Sequence, residues 1–308
     1  MKPIIPMFYY PLKALFVDDD KELLKAYHYL DLPNNVSVEH NPNQAVQEIL
    51  NNVSKNICVF NDITEKSHTD SLTTNQEAIL SFTFASIKEL ICDQDKYNKY
   101  GILVTDYQMG IMNGIKLCEH IGELDIIKIL LTGEYNPLNA VSALNNNTID
   151  YFLQKGKPTT TNELIESIRE LQLKYFKNIA QNFLNMTDNK LSFLADKAFA
   201  RLVNDLIKEN NITEYYLLNN TGCFLMMGDG NIFVLNIFTD IDLDIFCDMY
   251  SHIATDLTRS VRLRQLVPNF ELPSSQNLTE YFYPCKKFGK YYFNFSELKN
   301  LNILKVGK

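Results

Sequence analysis

No Cys-x-x-Cys pair, no apolar run of membrane length and no excess of basic charge occur in the 308 residues of this chain. The six cysteines (Cys58, Cys92, Cys118, Cys223, Cys247 and Cys285) are scattered, and none of the five histidines pairs with one at zinc spacing. A disulfide framework and a structural zinc site are therefore not expected. With no signal peptide visible, the thiols read as reduced and the protein as cytoplasmic. His28 and His120 read as core-edge or surface residues of helices, and Met226-Met227 as strand core. The net charge of −8 argues against a general nucleic-acid binder, which would carry a basic face. Glycines number only 11, and the abundance of asparagine reads as genomic bias. What remains is an ordinary globular composition, 46% hydrophobic and 21% charged, long enough for two domains.

The informative residues stand at the ends of apolar strands. The run from Gly101 to Gly114 contains a short apolar strand that ends on Asp106 and is followed by a turn and a helix. Ala14–Val17 runs into Asp18, Asp19 and Asp20, with the helical pattern Leu23, Leu24, Tyr27 behind it. Ile126–Leu131 ends on Thr132, and Tyr151–Leu153 ends near Lys155. Strands alternating with helices predict a parallel sheet covered on both faces. Its strands would all deliver their last residues to one edge, where open α/β folds place their chemistry. Acids gathered there repel one another unless a cation sits among them. Mg²⁺ takes hard oxygen ligands and keeps several waters. Asp19 and Asp106 would bind it directly, Asp18 through water, and the Gln108 backbone carbonyl would add a further oxygen. With Lys155 and the Thr132 hydroxyl, the set suits phosphoryl transfer to a carboxylate, which relies on positioning and charge stabilisation.

On these residues the chain resembles the receiver domain of bacterial two-component response regulators. Val17-Asp18-Asp19-Asp20 is similar to the family's acidic pair. Asp106-Tyr107-Gln108-Met109-Gly110-Ile111-Met112-Asn113-Gly114 is similar to its phosphoacceptor loop, with Gly110 where a proline is usual. Leu131-Thr132-Gly133 matches the switch threonine, Lys155 the conserved lysine, and Phe152 the switch aromatic. The resemblance implies a five-stranded doubly wound, flavodoxin-like fold. It implies that Asp106 takes phosphate from a histidine kinase or phosphotransfer protein, that Asp18 and Asp19 hold Mg²⁺, and that Thr132 and Phe152 report the charge. It also implies a signalling protein that assists its own phosphorylation and dephosphorylation, rather than an enzyme. Two departures stand out. Lys155 is followed by Gly156, with the proline delayed to Pro158, so Lys157 is a rival lysine. About 87 residues separate Asp19 from Asp106, roughly twice the family minimum.

That excess length lies at residues 51–99. Val36–His40 reads as the second strand and Asn43–Leu50 as the second helix. The first half of the insertion reads as a polar loop, and Gln76–Ile91 as a helix packed on one flank of the receiver, before the third strand. Residues 1–12, with three prolines and several aromatics, read as covering the sheet or leading into it. The receiver is expected over residues 1–160. Apolar positions from Leu164 to Phe183 recur with helical period, so the last receiver helix is expected to extend as a connector over 161–186.

Residues 187–308 read as a small α+β output domain. Leu191–Lys208 reads as a helix. Tyr215–Leu218, Thr221–Met227 and Ile232–Phe238 read as strands, with a tight turn at Gly228–Asn231. Asp240–Leu257 reads as a helix with acids in its first turn, and further short strands are expected within Tyr281–Phe295. This half carries 13 lysines and arginines against 14 acids, and no basic recognition helix, cyclase, phosphodiesterase or Walker motif. Its one basic cluster, Arg259, Arg262 and Arg264, reads as a solvated helix end. Glu214–Leu225, with Leu131–Glu134 and Leu171–Phe176, resembles a group of response regulators with an uncharacterised output domain, some of them tied to quorum-sensing kinases. Dimerisation or a protein contact through the long helix is the expected output. An enzymatic or ligand-sensing output and an unfamiliar DNA-binding fold are the alternatives, and no membrane partner is expected.

Overall fold

The structure is a computed structural model, and it describes residues 4–32, 36–52, 76–122, 124–133, 138–187, 191–250, 255–268 and 282–298. The polar loop expected before Gln76, Cys58, Glu134 and Tyr135 lie outside these residues. In chain order the strands are β1 (Phe8–Tyr9), β2 (Lys13–Val17), β3 (Val36–Glu39), β4 (Tyr100–Asp106), β5 (Ile127–Thr132), β6 (Tyr151–Gln154), β7 (Ile212–Leu217), β8 (Phe224–Gly228), β9 (Asn231–Thr239), β10 (Leu266–Pro268), β11 (Phe282–Pro284), β12 (Lys286–Phe288) and β13 (Tyr291–Glu297). The helices are α1 (Lys21–Tyr27), α2 (Pro42–Asn52), α3 (Gln76–Cys92), α4 (Gly114–Ile121), α5 (Leu138–Asn145), α6 (Thr160–Met186), α7 (Lys197–Glu209), α8 (Asp240–Met249) and α9 (Thr255–Arg262).

The chain divides into two compact units. Residues 11–69 and 92–175 form one, and residues 1–10, 70–91 and 176–308 form the other. The first holds a five-stranded parallel sheet of order β3-β2-β4-β5-β6. This is the doubly wound sheet that the strand-helix alternation predicts. Every residue of β4 and β5 is buried, which is why both read as unbroken apolar runs. The edge strand β3 is only half-buried. Leu15, Val17, Ile49, Leu103, Leu117 and Leu130 belong to one core on this sheet. Between β2 and β4 the winding reverses direction, and that switch point opens a crevice at the carboxyl ends of the strands. The chain ends of β2 and β4 carry Asp18, Asp19 and Asp106.

Helix α4 packs against the sheet so closely that its first residue has no room for a side chain. A Cβ on Gly114 would lie 2.3 Å from the Asp106 carbonyl oxygen and 2.8 Å from Leu130 Cδ1. The approach brings the loop after Asp106 down onto its own strand, with the Gly114 amide donating to the Tyr107 carbonyl at 3.1 Å.

The second unit holds a six-stranded antiparallel sheet of order β1-β7-β8-β9-β13-β12, and β10 pairs with β11 beside it. Asp229 and Gly230, both at positive φ, close the β8–β9 hairpin where a tight turn is expected. Two expected helices are divided, and a third joins a different unit from the one expected. The expected helix over Leu191–Lys208 is a 3₁₀ turn (Ser192–Ala195) and then α7, because Asp196 caps the α7 amides of Ala198 and Phe199. The expected Asp240–Leu257 helix is two helices, α8 and α9. Helix α3 forms as its periodicity predicts, but through Ile91 it groups with the antiparallel sheet and not with a flank of the receiver sheet.

The amino-terminal residues also belong to this second unit. Phe8 and Tyr9 pair with Tyr216 and Tyr215, and the Tyr9 and Tyr215 rings stack 5.8 Å apart. Phe176 packs against the rings of Phe8, Tyr9 and Tyr10. Helix α6, 27 residues long, runs from one unit into the other. No helix among the described residues is long and apolar enough to cross a membrane.

Because the Gly114 contacts are with backbone and packed side chains, Gly114→Ala is expected to destabilise the receiver unit by about 1–3 kcal/mol, the usual range for overpacking. Urea unfolding followed by far-UV circular dichroism measures it; an unchanged midpoint would show that α4 shifts without cost.

Candidate functional site

Lys155 stands at the centre of the crevice. Its ammonium lies 2.6 Å from Asp18 Oδ2 and 2.6 Å from Asp106 Oδ1. Both carboxylates are largely buried, with side-chain exposures of 2% and 10%. The β5–β6 pairing delivers the lysine there: Thr132 lies opposite Gln154, and the next amide, that of Lys155, donates to the Thr132 carbonyl at 2.7 Å. Lys157 is exposed, and its amide donates to Thr160 Oγ1 at the start of α6. Of the two lysines in question, the structure brings Lys155 to the acids.

The three aspartates of the triplet have different surroundings. Asp20 caps α1, accepting from the Glu22 and Leu23 amides. Asp18 accepts from the Asp20 amide through Oδ1 and from Lys155 through Oδ2. Asp19 is exposed and accepts from the Gly110 amide at 3.0 Å. One carboxylate oxygen from each of Asp18, Asp19 and Asp106 lies within 4.8 Å of the others, a spacing that a single cation can bridge.

Asp106 closes β4 opposite Leu131. Its Oδ2 accepts from the Gln108 amide at 3.1 Å, so the Gln108 residue named as a carbonyl ligand sits in the same turn. Burial pushes the Asp106 carboxyl above its ordinary value; Lys155 pulls it down, and the neighbouring Asp18 pushes it up again. Thr132 is buried at the end of β5. Phe152 is half-buried on β6, opposite Leu130, and packs against the receiver core.

Residues that sequence reading did not single out also shape the site. The Tyr107 amide donates to the Leu131 carbonyl at 2.7 Å, and its hydroxyl accepts from Asn139 Nδ2 at 2.8 Å, linking the loop to α5. Burial, and then the charges of Asp18, Asp106 and Asp20, raise the phenol of Tyr27 on α1. Only its helical spacing was visible beforehand. In the other unit two of the three clustered arginines are engaged with acids. Arg264 holds Asp240 and Asp244 at 2.8 Å each, and Arg262 holds Asp248 at 2.8 Å, lacing α9 to α8. Burial raises the Cys118 thiol to about 12, as suits an inert core cysteine.

No protein-family model matches the sequence, and no curated protein matches it. Among solved structures, the Legionella pneumophila response regulator LqsR aligns at 25% identity and TM-score 0.70, over 96% of this chain and 89% of that one. The signal receiver domain of a putative Luxo repressor protein from Vibrio parahaemolyticus aligns at 17% identity and TM-score 0.35, over 56% of this chain and 96% of that one. The receiver domain of the Francisella response regulator 1452 aligns at 18% identity and TM-score 0.33, over 53% and 98%.

The raised Asp106 carboxyl fixes the sign of a stability effect. A group held protonated by the fold stabilises it below the unfolded-state value and loses that contribution as pH rises through the folded-state value. Ionised Asp106 therefore costs stability at neutral pH when no divalent cation is present. Asp106→Asn is expected to melt at a higher temperature than wild type at pH 7 in chelator, with the gap closing toward pH 4. Thermal melts across that range decide it; a variant that melts lower at pH 7 contradicts the assignment.

Proposed function

We propose that this chain, built as a response regulator with a receiver domain and a carboxyl-terminal output domain, is a phosphorylation switch in which Asp106 is the phosphoacceptor. The observation that carries the reading is the juxtaposition of Asp106 with Lys155, Asp18 and Asp19 at the switch point of the parallel sheet. The donor set suits a hard divalent cation: three carboxylates face one ammonium, which leaves an excess of negative charge. Asp19, Asp106 and the Gln108 carbonyl would hold Mg²⁺, with Asp18 holding it through water. Bound there, the cation would supply positive charge opposite the phosphoryl oxygens.

The chemistry asked of the protein's own residues is modest. A carboxylate oxygen of Asp106 attacks the phosphorus of a phosphohistidine on a histidine kinase or phosphotransfer protein. The P–N bond breaks, and its electron pair leaves on the imidazole. Lys155 holds Asp106 in place and balances the incoming charge, and the Thr132 hydroxyl donates to the transferred group. Such catalysis is positioning and electrostatics, with no further acid or base required.

The modification adds about −1.5 to −2 charges, by analogy with other phospho-residues. A population shift requires that the added phosphate interact differently with the two states. Thr132 moving toward the phosphate and Phe152 following into the space behind it would provide that difference. The Tyr107–Asn139 hydrogen bond gives a further path from the loop to α5. The output is control of the carboxyl-terminal domain through α6, by dimerisation or a protein contact.

Incubating the protein with acetyl phosphate and Mg²⁺ is expected to give a retarded band on a Phos-tag gel, lost in Asp106→Asn. A band that persists in that variant sinks the assignment.

A further inference from the structure

We propose that the outer face of α8 is a docking surface for a second copy of this chain, the two helices meeting antiparallel about a two-fold axis at Ile245. The inference goes beyond the phosphoacceptor reading and does not depend on it, because α8 lies wholly in the second unit.

Helix α8 is apolar on two sides. Leu243 and Cys247 are fully buried in the core of that unit, with Phe246 packed against it. On the opposite side Ile241, Ile245 and Met249 follow one another at four-residue spacing, so they form one stripe. Their exposures are 70%, 53% and 62%. A surface helix needs only the first of these faces to hold its place in a fold. Single exposed apolar residues are ordinary, but a continuous row of them marks a surface that meets another molecule.

The charges beside the stripe decide what covers it. Asp240, Asp244 and Asp248 run along one flank, and each is paired inside the chain. Arg264 holds the first two and Arg262 the third, all at 2.8 Å. A basic partner helix therefore finds no unpaired row of acids to recognise. The flank alternates in sign along its length instead, and it does so symmetrically about Ile245. Asp248 lies three residues after Ile245, and the midpoint of Asp240 and Asp244, where Arg264 binds, lies three residues before it. At a rise of about 1.5 Å per residue, each is about 4.5 Å along the axis from Ile245. A two-fold axis at Ile245 turns this flank against itself with its direction reversed. Asp248 and Arg262 of one copy then come level with Arg264 and Asp244 of the other, and Ile241 meets Met249. The surface is self-complementary, as a contact between identical patches requires.

Three side chains from each copy make a small patch. Stable interfaces bury about 1,200–2,000 Å², and smaller ones belong to transient contacts. The association is therefore weak and rises with concentration.

Sedimentation of the full chain over a range of concentrations reads the association. Wild type is expected to pass from monomer toward dimer, and Ile245→Glu, which sets like charges against each other at the axis, to associate about 10-fold or more weakly. Circular dichroism confirms that the variant is folded. Cross-linking reads the geometry, since a disulfide needs Cα atoms about 4.4–6.8 Å apart. Under mild oxidation Ile245→Cys is expected to form a covalent dimer with itself, faster than the background that wild type shows through its native thiols. Ile241→Cys and Met249→Cys are expected to cross-link when mixed and not when alone. A monomer at every concentration, a dimer that Ile245→Glu leaves unchanged, or Ile245→Cys cross-linking at the background rate overturns the proposal.

Discussion

One ammonium shared between two buried carboxylates is the interaction on which this molecule's chemistry depends. Lys155 bridges Asp18 and Asp106 from a third strand end, so the β2, β4 and β6 termini are held to one point. Removing the ammonium would leave two buried carboxylates uncompensated in a poorly solvated crevice, which is costly. Yet the set is not neutral. Asp19 adds a third acid at the same place, and the Asp106 carboxyl is pushed upward by burial and by Asp18 despite the lysine. A fold that keeps excess negative charge at its switch point is suited to gaining a divalent cation.

The receiver half was largely legible in the sequence, because its central strands are buried on both faces and so appear as apolar runs ending on polar residues. The order Asp18-Asp19, Asp106, Thr132, Lys155 survives as spatial convergence, since parallel strands deliver their last residues to one edge. The choice between Lys155 and Lys157 was open locally. It is decided by pairing: Thr132 opposite Gln154 puts the next residue, not the third, beside the acids. The Gly110–Asp19 and Tyr107–Asn139 hydrogen bonds carried no local signal, because one uses a backbone amide and the other joins distant side chains.

The second unit was less legible for the same kind of reason. The two-residue strand Phe8–Tyr9 gains its place only by pairing with Tyr215 and Tyr216, some 200 positions away. No period or turn chemistry near residue 8 announces such a partner. The helix Gln76–Cys92 shows its own periodicity but not the unit it joins. Caps explain the remaining differences: Asp196 starts a helix where apolar spacing alone runs through, and Thr239 with Asp242 forms the capping box that starts α8. The basic cluster read as a solvated helix end is in part engaged locally, with Arg262 and Arg264 paired to acids of α8. The second unit takes in residues 1–10 and 70–91 as well as 176–308, so the chain passes between the two units more than once.

The central claim, that Asp18, Asp19 and Asp106 form one cation site, is tested most directly by calorimetric titration of Mg²⁺ into wild type and into the double variant Asp18→Asn, Asp19→Asn. The account predicts saturable binding to wild type and none to the double variant, with both proteins folded. Equal binding by the two would place the cation elsewhere and contradict the account.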